Sequence, residues 1–403
     1  MKAEHGPAPI VRADVVVIGG GSTGTSVAFQ LARRFRDESG RRRVLLVERD
    51  TVGAGPTSKS IGIIRLHYSF EPLVAMAHRS LELFSTFEQL TGSTADFARI
   101  GFLLLVSEPQ MATLRDNVAL QRRLGIRAEV LTADGVAALD PRLATDDVAG
   151  AAWEPDSGFA DGYATAAGFA SAARRDGADV WETTAVSGID VRGGAVRGVT
   201  TSRGYVETSA VLVAAGPWSP PLLAPVGVDV PIVAAREQVV QLAPPPDFGQ
   251  LRFVVEDLIQ GLFSRPEAGG TVLAGVLEEE AEEIVSADAY RRRVDFDYVE
   301  RVGSMWARRF PQAAQADVRG GYASLYDVTP DWQPMLGPVK GIDGLFIAAG
   351  FSGHGFKLSP ALGEVLAAQI LGEQPPIDVS MFRLSRFAEG RLLRGHHAQG
   401  ILG

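Results

Sequence analysis

Three glycines near the start of the chain constrain its fold more than any other feature. Gly19, Gly21 and Gly24 have the spacing Gly-x-Gly-x-x-Gly and directly follow residues 14–18, a short β-branched run (DVVVI). The apolar positions of residues 27–35 then repeat at helical spacing. Glycines between such a strand and helix let the backbone approach a pyrophosphate at the positive end of the helix. The pattern therefore predicts a βαβ unit of the Rossmann type that binds a dinucleotide.

A carboxylate after the next strand strengthens this prediction. Residues 44–47 (VLLV) predict a second buried strand, and Glu48 follows it directly. At this position a carboxylate can accept hydrogen bonds from a ribose 2′-hydroxyl, whereas it would repel a 2′-phosphate. The pattern therefore disfavours NADP, and the glycines do not distinguish NAD from FAD.

The rest of the chain predicts two domains. A chain of 403 residues is longer than a single hydrophobic core usually serves. Residues 211–215 and 345–349 are apolar runs of the kind buried in a parallel sheet, so we expect the dinucleotide domain to be discontinuous. Residues 97–106 and 228–275 have a strand-like pattern with turn residues, which predicts a separate antiparallel sheet.

Two further helices are predicted from their starting signals. Ser286 is a typical N-cap for a helix that would continue to Pro311 and cover the antiparallel sheet. Ser359 and Pro360 are typical of the N-cap and first residue of a C-terminal helix, which would end at Gly372.

Charge and composition argue against several classes of protein. The formal net charge of −9 disfavours a nucleic acid or an anionic membrane as partner. The absence of Cys excludes disulfides, thiolate metal sites and a Cys-linked cofactor. Residues 1–13 lack the apolar region of a signal peptide, and no later apolar run has the length of a membrane span. We therefore expect a soluble, cytoplasmic protein without a metal.

Several segments resemble the D-amino-acid oxidase superfamily of FAD-dependent oxidoreductases. They are residues 48–55 (ERDTVGAG), 211–219 (VLVAAGPWS) and 350–357 (GFSGHGFK). Within that superfamily, further segments most resemble the branch of monomeric sarcosine oxidase and other N-alkyl or cyclic amino-acid oxidoreductases. These are residues 62–68 (GIIRLHY), 326–331 (YDVTPD) and 352–359 (SGHGFKLS).

The resemblance implies FAD as the cofactor and an α/β fold with an α+β second domain. A discontinuous, Rossmann-type FAD-binding domain would comprise residues 1–92, 153–228 and 323–403. A mixed-sheet substrate domain would comprise residues 93–152 and 229–322.

The glycine motif and the resemblance together predict the residues that contact the cofactor. Val186 would meet the adenine, and Trp218 would either pack beside the cofactor or simply fill the core. The full set is Gly19, Gly21, Ser22, Thr23, Gly24, Glu48, Arg49, Gly55, Thr57, Ser58, Val186, Gly216, Trp218, Gly353, His354, Gly355, Phe356 and Lys357.

The resemblance also implies the reaction and its residues. A small carboxylic acid that contains an amine would lose a hydride to the N5 atom of the flavin, and the imine formed would hydrolyse. Arg65 and Lys357 match the pair that clamps the substrate carboxylate, although each could instead make an ordinary salt bridge. His67 and His354 are candidates for polarity or proton handling, or are structural histidines. The electron acceptor would be O₂ or an unidentified carrier.

Three positions depart from the sarcosine oxidase pattern. Ser324 stands where that branch links its flavin to Cys, and Lys59 matches the His link of dimethylglycine dehydrogenases. FAD is therefore expected to be noncovalent. Leu273 stands near the position of the lysine that activates oxygen, so we expect slow reaction with oxygen.

Two other functions are compatible with the glycine motif. One is a flavin-binding assembly or interaction protein without turnover. The other is an FAD-dependent aromatic hydroxylase or halogenase, although residues 350–354 (GFSGH) replace the Gly-Asp motif typical of those enzymes.

Overall fold

A six-stranded sheet forms one half of the protein in the computed structural model, which describes residues 11–37, 42–277 and 283–395. Its first five strands are parallel and the sixth is antiparallel. In spatial order they are Asp179–Trp181, Val44–Val47, Val15–Ile18, Val211–Val213, Leu345–Ala349 and Met335–Pro338.

 

Both faces of this sheet are buried, as is typical of parallel strands. Val15 and Val17 face a core shared with four helices, whereas Val16 and Ile18 face a second core. The helices on the first face are Ser22–Asp37, Glu71–Ser85, Gly162–Arg175 and Gly355–Ile370. On the second face lies a four-stranded sheet of Val11–Arg12, Gly204–Glu207, Ala195–Thr201 and Val186–Arg192. The predicted strands 211–215 and 345–349 thus join the N-terminal unit, as Val211–Val213 and Leu345–Ala349.

An eight-stranded mixed sheet forms the other half. Val254–Asp257 and Phe102–Val106 pair in parallel, and the other neighbours are antiparallel. In spatial order the strands are Asp317–Val328, Val233–Ala243, Val272–Val276, Leu262–Pro266, Val254–Asp257, Phe102–Val106, Gly150–Glu154 and Glu129–Leu131. The helix Phe296–Arg309 packs against this sheet through Val302 and Trp306. An α/β part and an α+β part are thus both present, which confirms the predicted fold class.

Shorter elements connect the two large sheets. Ile63–Ile64, Gly158–Phe159 and Ala98–Arg99 form a small three-stranded sheet. The remaining helices are Phe87–Thr91, Met111–Arg123, Ala133–Leu139 and Ser219–Leu223. The domain limits expected from the sequence stay a prediction, and two of them, after 152 and 322, fall inside strands of the mixed sheet.

The predicted helix start at Ser286 is wrong. The helix begins at Phe296, and Asp295 occupies its N-cap position. Upstream, the Arg236 side chain donates to the carbonyls of Arg291 at 2.7 Å and Arg293 at 2.5 Å. A helix through these residues would need the same carbonyls for its own backbone hydrogen bonds, so the segment before Phe296 stays irregular.

The predicted start of the C-terminal helix at Ser359 and Pro360 is also wrong. The helix begins at Gly355, which places Pro360 inside it. Proline has no N–H to donate to the carbonyl of Phe356, and the Ser359 hydroxyl donates to that carbonyl instead, at 2.8 Å. The predicted end is confirmed, because Gly372 follows the helix with φ +72°.

Candidate active site

The glycine loop has no room for side chains at two of its predicted positions. Gly19 has φ +111°, and a Cβ atom there would lie 2.3 Å from the carbonyl oxygen of Ala214. A Cβ atom on Gly24 would lie 2.0 Å from the carbonyl oxygen of Gly19. Both separations are far below van der Waals contact, so the loop between strand and helix requires glycine at each position.

The Glu48 carboxylate lies against the same loop. Its Oε2 atom accepts a hydrogen bond from the Gly20 N–H at 2.6 Å, and its Oε1 atom accepts one from Asp50 at 2.8 Å. The Thr57 hydroxyl accepts a hydrogen bond from the Ser22 N–H at 3.2 Å. The turn Pro56–Lys59, which also holds Ser58, therefore packs beside the glycine loop.

Arg49 and Trp218 form a cluster that the sequence did not predict in full. The Arg49 guanidinium lies 4.0 Å above the Trp218 ring. Asp288 binds both residues, accepting from Arg49 Nη1 at 3.0 Å and from Trp218 Nε1 at 2.8 Å. Trp218 is partly exposed and its indole N–H is hydrogen-bonded, so it is not a fully buried core residue. A Cβ atom on Gly55 would lie 3.9 Å from the Trp218 ring, so Gly55 belongs to the same neighbourhood.

Val186 begins its strand two residues after Thr184, whose N–H donates to the Glu48 carbonyl at 2.8 Å. This places the start of the strand near Glu48 in space. The contact of Val186 with an adenine stays a prediction.

The glycine-rich turn before the last helix holds His354. His354 is fully buried, and neither ring nitrogen has a hydrogen-bond partner in the described parts of the chain. Its ring lies 5.7 Å from the Tyr68 ring. Burial lowers the pKa of His354 well below its usual value, and the charges of Lys357 and Arg65 act in the same direction. Both ring nitrogens of His354 are thus buried without a hydrogen-bond partner in the described parts of the chain, a situation that calls for an explanation such as a bound ligand.

Other residues of this turn lie against aromatic side chains of the protein. A Cβ atom on Gly353, where φ is +90°, would lie 2.7 Å from the Tyr326 ring. A Cβ atom on Gly355 would lie 2.8 Å from the Phe351 ring. The predicted cofactor residue Phe356 is buried, and its ring centroid lies 5.5 Å from that of Phe84. Its side chain thus belongs to the core.

Arg65 forms a buried ion pair, and its partner Glu256 was not predicted from the sequence. Its Nε atom lies 3.1 Å from the Glu256 carboxylate, and its Nη1 atom donates to the carbonyl of His67 at 2.6 Å. Both side chains are almost completely excluded from solvent. Burial is the largest single influence and opposes the charged form of Arg65, but Glu256, Tyr68 and Glu154 together outweigh it, so the pKa of Arg65 is raised. The signal that could have found Glu256 is a pair of acidic residues, Glu256 and Asp257, directly after an apolar run in the strand Val254–Asp257.

Lys357 is the second buried cation of the site. Burial and, to a smaller extent, the charge of Arg65 lower the pKa of Lys357 to about 7, and Glu256 acts against them. Arg65 acts on both Lys357 and His354, and Lys357 acts on His354, so the structure brings these three predicted residues into one electrostatic neighbourhood. His67 is buried too, and its Nε2 atom lies 3.2 Å from the Asn117 amide nitrogen. A catalytic role for His67 stays a prediction.

A Rossmann-type sheet with a glycine loop, next to a mixed sheet that carries buried charges, defines a dinucleotide-dependent oxidoreductase. The family model described as FAD dependent oxidoreductase (DAO) matches residues 14–369. The chain therefore belongs to this family, as its resemblance to the D-amino-acid oxidase superfamily predicted. FAD as cofactor and the class of enzyme are confirmed with it.

Named relatives share this architecture. The chain is 29% identical to 4-methylaminobutanoate oxidase (formaldehyde-forming) of Paenarthrobacter nicotinovorans, over 95% of this chain but only 46% of the relative's length. It is 27% identical to sarcosine oxidase subunit beta of Rhodobacter capsulatus, over 99% of this chain and 94% of the relative. The crystal structure of L-proline dehydrogenase from P. horikoshii matches with a TM-score of 0.86 and 26% identity, covering 96% of this chain and 100% of that one.

The residues present fit FAD. Glycines fill the positions where a Cβ atom would strike the backbone, and a carboxylate stands beside them for a ribose. Across the described ranges, no helix is both long and apolar enough to cross a membrane. The cytoplasmic location stays a prediction. It is based partly on residues 1–13, of which residues 1–10 lie outside the described residues.

We expect FAD to be released intact by acid. The chain has no Cys, and at the position of a His link the Lys59 ammonium donates to the Tyr290 hydroxyl at 3.3 Å. Precipitation with trichloroacetic acid should leave the yellow colour in the supernatant. Colour that stays with the washed pellet, and with a tryptic peptide, would show a covalent link.

Proposed function

We propose that this protein oxidises the C–N bond of a secondary-amine amino or imino acid, either an N-alkyl or a cyclic amino acid. The observation that carries the proposal is the pair of buried cations, Arg65 and Lys357, beside a buried imidazole. When bound, FAD supplies the hydride acceptor. The protein's own residues bind and orient the substrate.

The buried charges are suited to a carboxylate. Arg65 and Lys357 carry two positive charges when Lys357 is protonated, and Glu256 offsets one of them. Among these three side chains one positive charge remains for a substrate anion, and burial strengthens its attraction because the local dielectric is low. The carboxyl of Glu154 is also buried and acts on Arg65, and burial raises the pKa of Glu154. Glu256 holds the Arg65 guanidinium in a single orientation, so less side-chain entropy is lost when a carboxylate binds.

The substrates in the relatives' names support the amine part of the proposal. Methylaminobutanoate and sarcosine are N-methyl amino acids, and proline is a cyclic one. All three are secondary amines that carry a carboxylate. The electron acceptor of this protein is O₂ or a carrier that a screen of acceptors must identify.

An anaerobic screen tests the proposal. N-methyl amino acids, proline-like rings, primary amino acids and amines without a carboxylate are each mixed with the enzyme, and bleaching of the flavin absorption band is followed. Secondary-amine acids should bleach the band fastest. Bleaching by none of the amines would favour a non-catalytic assembly protein or an aromatic hydroxylase. Faster bleaching by primary amino acids would contradict the proposed substrate class.

Carboxylate binding should weaken as the pH rises through 7. The pKa of Lys357 is about 7 in the unliganded protein, so its positive charge is present below this pH and is lost above it. The Kd of an amine-free carboxylate such as propionate should rise by up to about tenfold per pH unit above pH 7. The Kd of propionate is measured from flavin difference spectra between pH 6 and 9.

Two lysine variants control this experiment. Lys357→Met should bind propionate weakly at every pH, with little change between pH 6 and 9. Lys340→Met, at an exposed position, should keep the wild-type pH profile. A profile that persists in Lys357→Met would assign the titration to another group.

Leu273 stands in an apolar setting. It is buried against Val239 and Phe263. Directly opposite on the neighbouring strand is Arg265, whose guanidinium donates to the carbonyls of Ile61 and Pro266 and pairs with Glu267 at 2.9 Å. The charge of Arg265 is therefore compensated within the protein.

We expect slow reoxidation of the reduced enzyme by dissolved oxygen. Superoxide formation is favoured by an uncompensated cation in a low-dielectric site, and Leu273 provides none. Stopped-flow mixing of the substrate-reduced enzyme with air-saturated buffer measures the rate. Leu273→Lys should accelerate it by about tenfold or more, whereas Leu273→Met should not. Wild-type reoxidation as fast as reduction by substrate would contradict this expectation.

A further inference from the structure

A buried carboxylate, Asp327, lies where two loops of the proposed cofactor site meet. It stands near the end of the strand Asp317–Val328 of the mixed sheet. Its Oδ2 atom accepts a hydrogen bond from the Gly350 N–H at 2.7 Å, and a Cβ atom on Gly216 would lie 3.9 Å from the same oxygen. Gly350 and Gly216 follow neighbouring parallel strands of the six-stranded sheet. Asp327 thus reaches from one sheet to the carboxyl edge of the other, where open α/β sheets bind their ligands.

The loop after Gly350 has a conformation that needs external support. Ser352 has φ +49°, in the left-handed region that residues with a Cβ atom rarely adopt, and Gly350 and Gly353 have φ +74° and +90°. The Ser352 N–H donates to the Asp327 carbonyl at 3.1 Å, and the Ser352 hydroxyl accepts from the Thr329 N–H at 3.2 Å. The side chain and the backbone of Asp327 therefore both hold this loop.

Stability alone does not account for a carboxylate at this position. Burial raises the pKa of Asp327 to about 6, and the N–H groups of Gly350, Phe351 and Ser352 act against this rise. Within the described ranges, Asp327 makes no salt bridge. A buried carboxylate without a counterion is costly, whereas an apolar side chain of similar size is not. What the carboxylate does provide is a strong acceptor for loop N–H groups.

We propose that Asp327 is a positioning residue that holds residues 350–355 in the conformation that binds FAD. This inference rests on the proposed placement of FAD at that loop and is independent of the identity of the amine substrate. The side chain acts through the loop backbone, so its loss should change the affinity for FAD more than the stability of the apoprotein.

Two variants of Asp327 test this. Asp327→Leu removes the acceptor together with the buried charge, so its apoprotein should unfold at or above the wild-type temperature while its Kd for FAD rises at least tenfold. Asp327→Asn keeps a side-chain carbonyl that can accept from Gly350, so its Kd should rise less than in the Leu variant. The Kd is measured by quenching of FAD fluorescence on titration with apoprotein. Wild-type affinity in Asp327→Leu, or equal losses in both variants, would overturn the proposal.

Two control variants distinguish the role of Asp327 from the more general proposal that FAD binds at this loop. Asp331→Asn weakens a buried pair with Arg386, whose Nε atom lies 2.8 Å away, and should lower stability without raising the Kd for FAD. Gly353→Ala should weaken FAD binding whether or not Asp327 holds the loop. The added Cβ atom would collide with the Tyr326 ring and displace the loop itself. If Gly353→Ala and Asp327→Leu both bind FAD normally, the placement of FAD at the loop fails. If only Gly353→Ala is weakened, the assignment of Asp327 fails.

A second measurement applies if Asp327→Leu does not fold. Hydrogen exchange in the Asp327→Asn apoprotein should then be faster than wild type for the peptide that contains Gly350 and Ser352, because an amide is a weaker acceptor than a carboxylate. Unchanged exchange in that peptide would overturn the proposal.

Discussion

Arg65→Met should abolish measurable carboxylate binding and also destabilise the protein. Arg65 is completely buried against Glu256, with 3.1 Å between Nε and the carboxylate. Removing one partner of a buried ion pair costs about 3–5 kcal/mol, because the other charge is left buried without compensation. Loss of the two-pronged guanidinium should raise the Kd for a carboxylate by about 30-fold or more. Thermal unfolding and inhibitor titration measure the two effects separately.

A double variant separates binding from stability. Arg65→Met combined with Glu256→Gln removes both members of the buried pair, so it should regain much of the lost stability while carboxylate binding stays weak. Recovery of binding in the double variant would remove Arg65 from the substrate site and leave it a structural residue.

Arg309 offers a matched control, because its partner Asp257 lies in the same strand as Glu256. Its Nε atom lies 2.7 Å from the carboxylate of Asp257, the residue after Glu256, and both side chains are buried. Arg309→Met should therefore destabilise the protein as Arg65→Met does, yet bind carboxylates with wild-type affinity. If both variants lose binding equally, the loss in Arg65→Met reports general destabilisation only.

Gly24→Ala should remove FAD binding almost completely. The added Cβ atom would lie 2.0 Å from the carbonyl oxygen of Gly19, and this contact is between backbone and Cβ, so no flexible side chain can move away. The helix Ser22–Asp37 must shift from the loop, and the N–H groups at its start leave their positions for the pyrophosphate. We expect the Kd for FAD to rise at least 100-fold.

Gly303→Ala is the matched control for this substitution. Gly303 lies inside the helix Phe296–Arg309, and a Cβ atom there would meet nothing within 4 Å. Alanine is favoured over glycine inside a helix by about 1 kcal/mol, so this variant should be slightly more stable and bind FAD normally. An FAD affinity within threefold of wild type in Gly24→Ala would contradict the placement of the dinucleotide.

The sequence alone determined the part of the fold that depends on neighbouring residues. The β-branched run of Val15–Ile18, the glycine spacing and the apolar helix face lie within a few turns of one another, and Glu48 ends the next strand. Each feature is set by local periodicity or by the missing side chain of glycine, which are visible without knowledge of the rest of the chain. Resemblance to known enzymes added Arg65, Lys357 and His354.

Only the tertiary structure decided which partners these residues have. Glu256 lies 191 positions from Arg65 along the chain. Asp288 lies 239 positions from Arg49, and Asp327 lies 23 positions from Gly350. The helix starts at Phe296 and Gly355 were also mispredicted, because hydrogen bonds from Arg236 and Ser359 outweigh the local signals at Ser286 and Pro360. A buried polar group must find its partner among whatever strands and loops the fold brings beside it. Local sequence patterns therefore do not predict which residue becomes the partner.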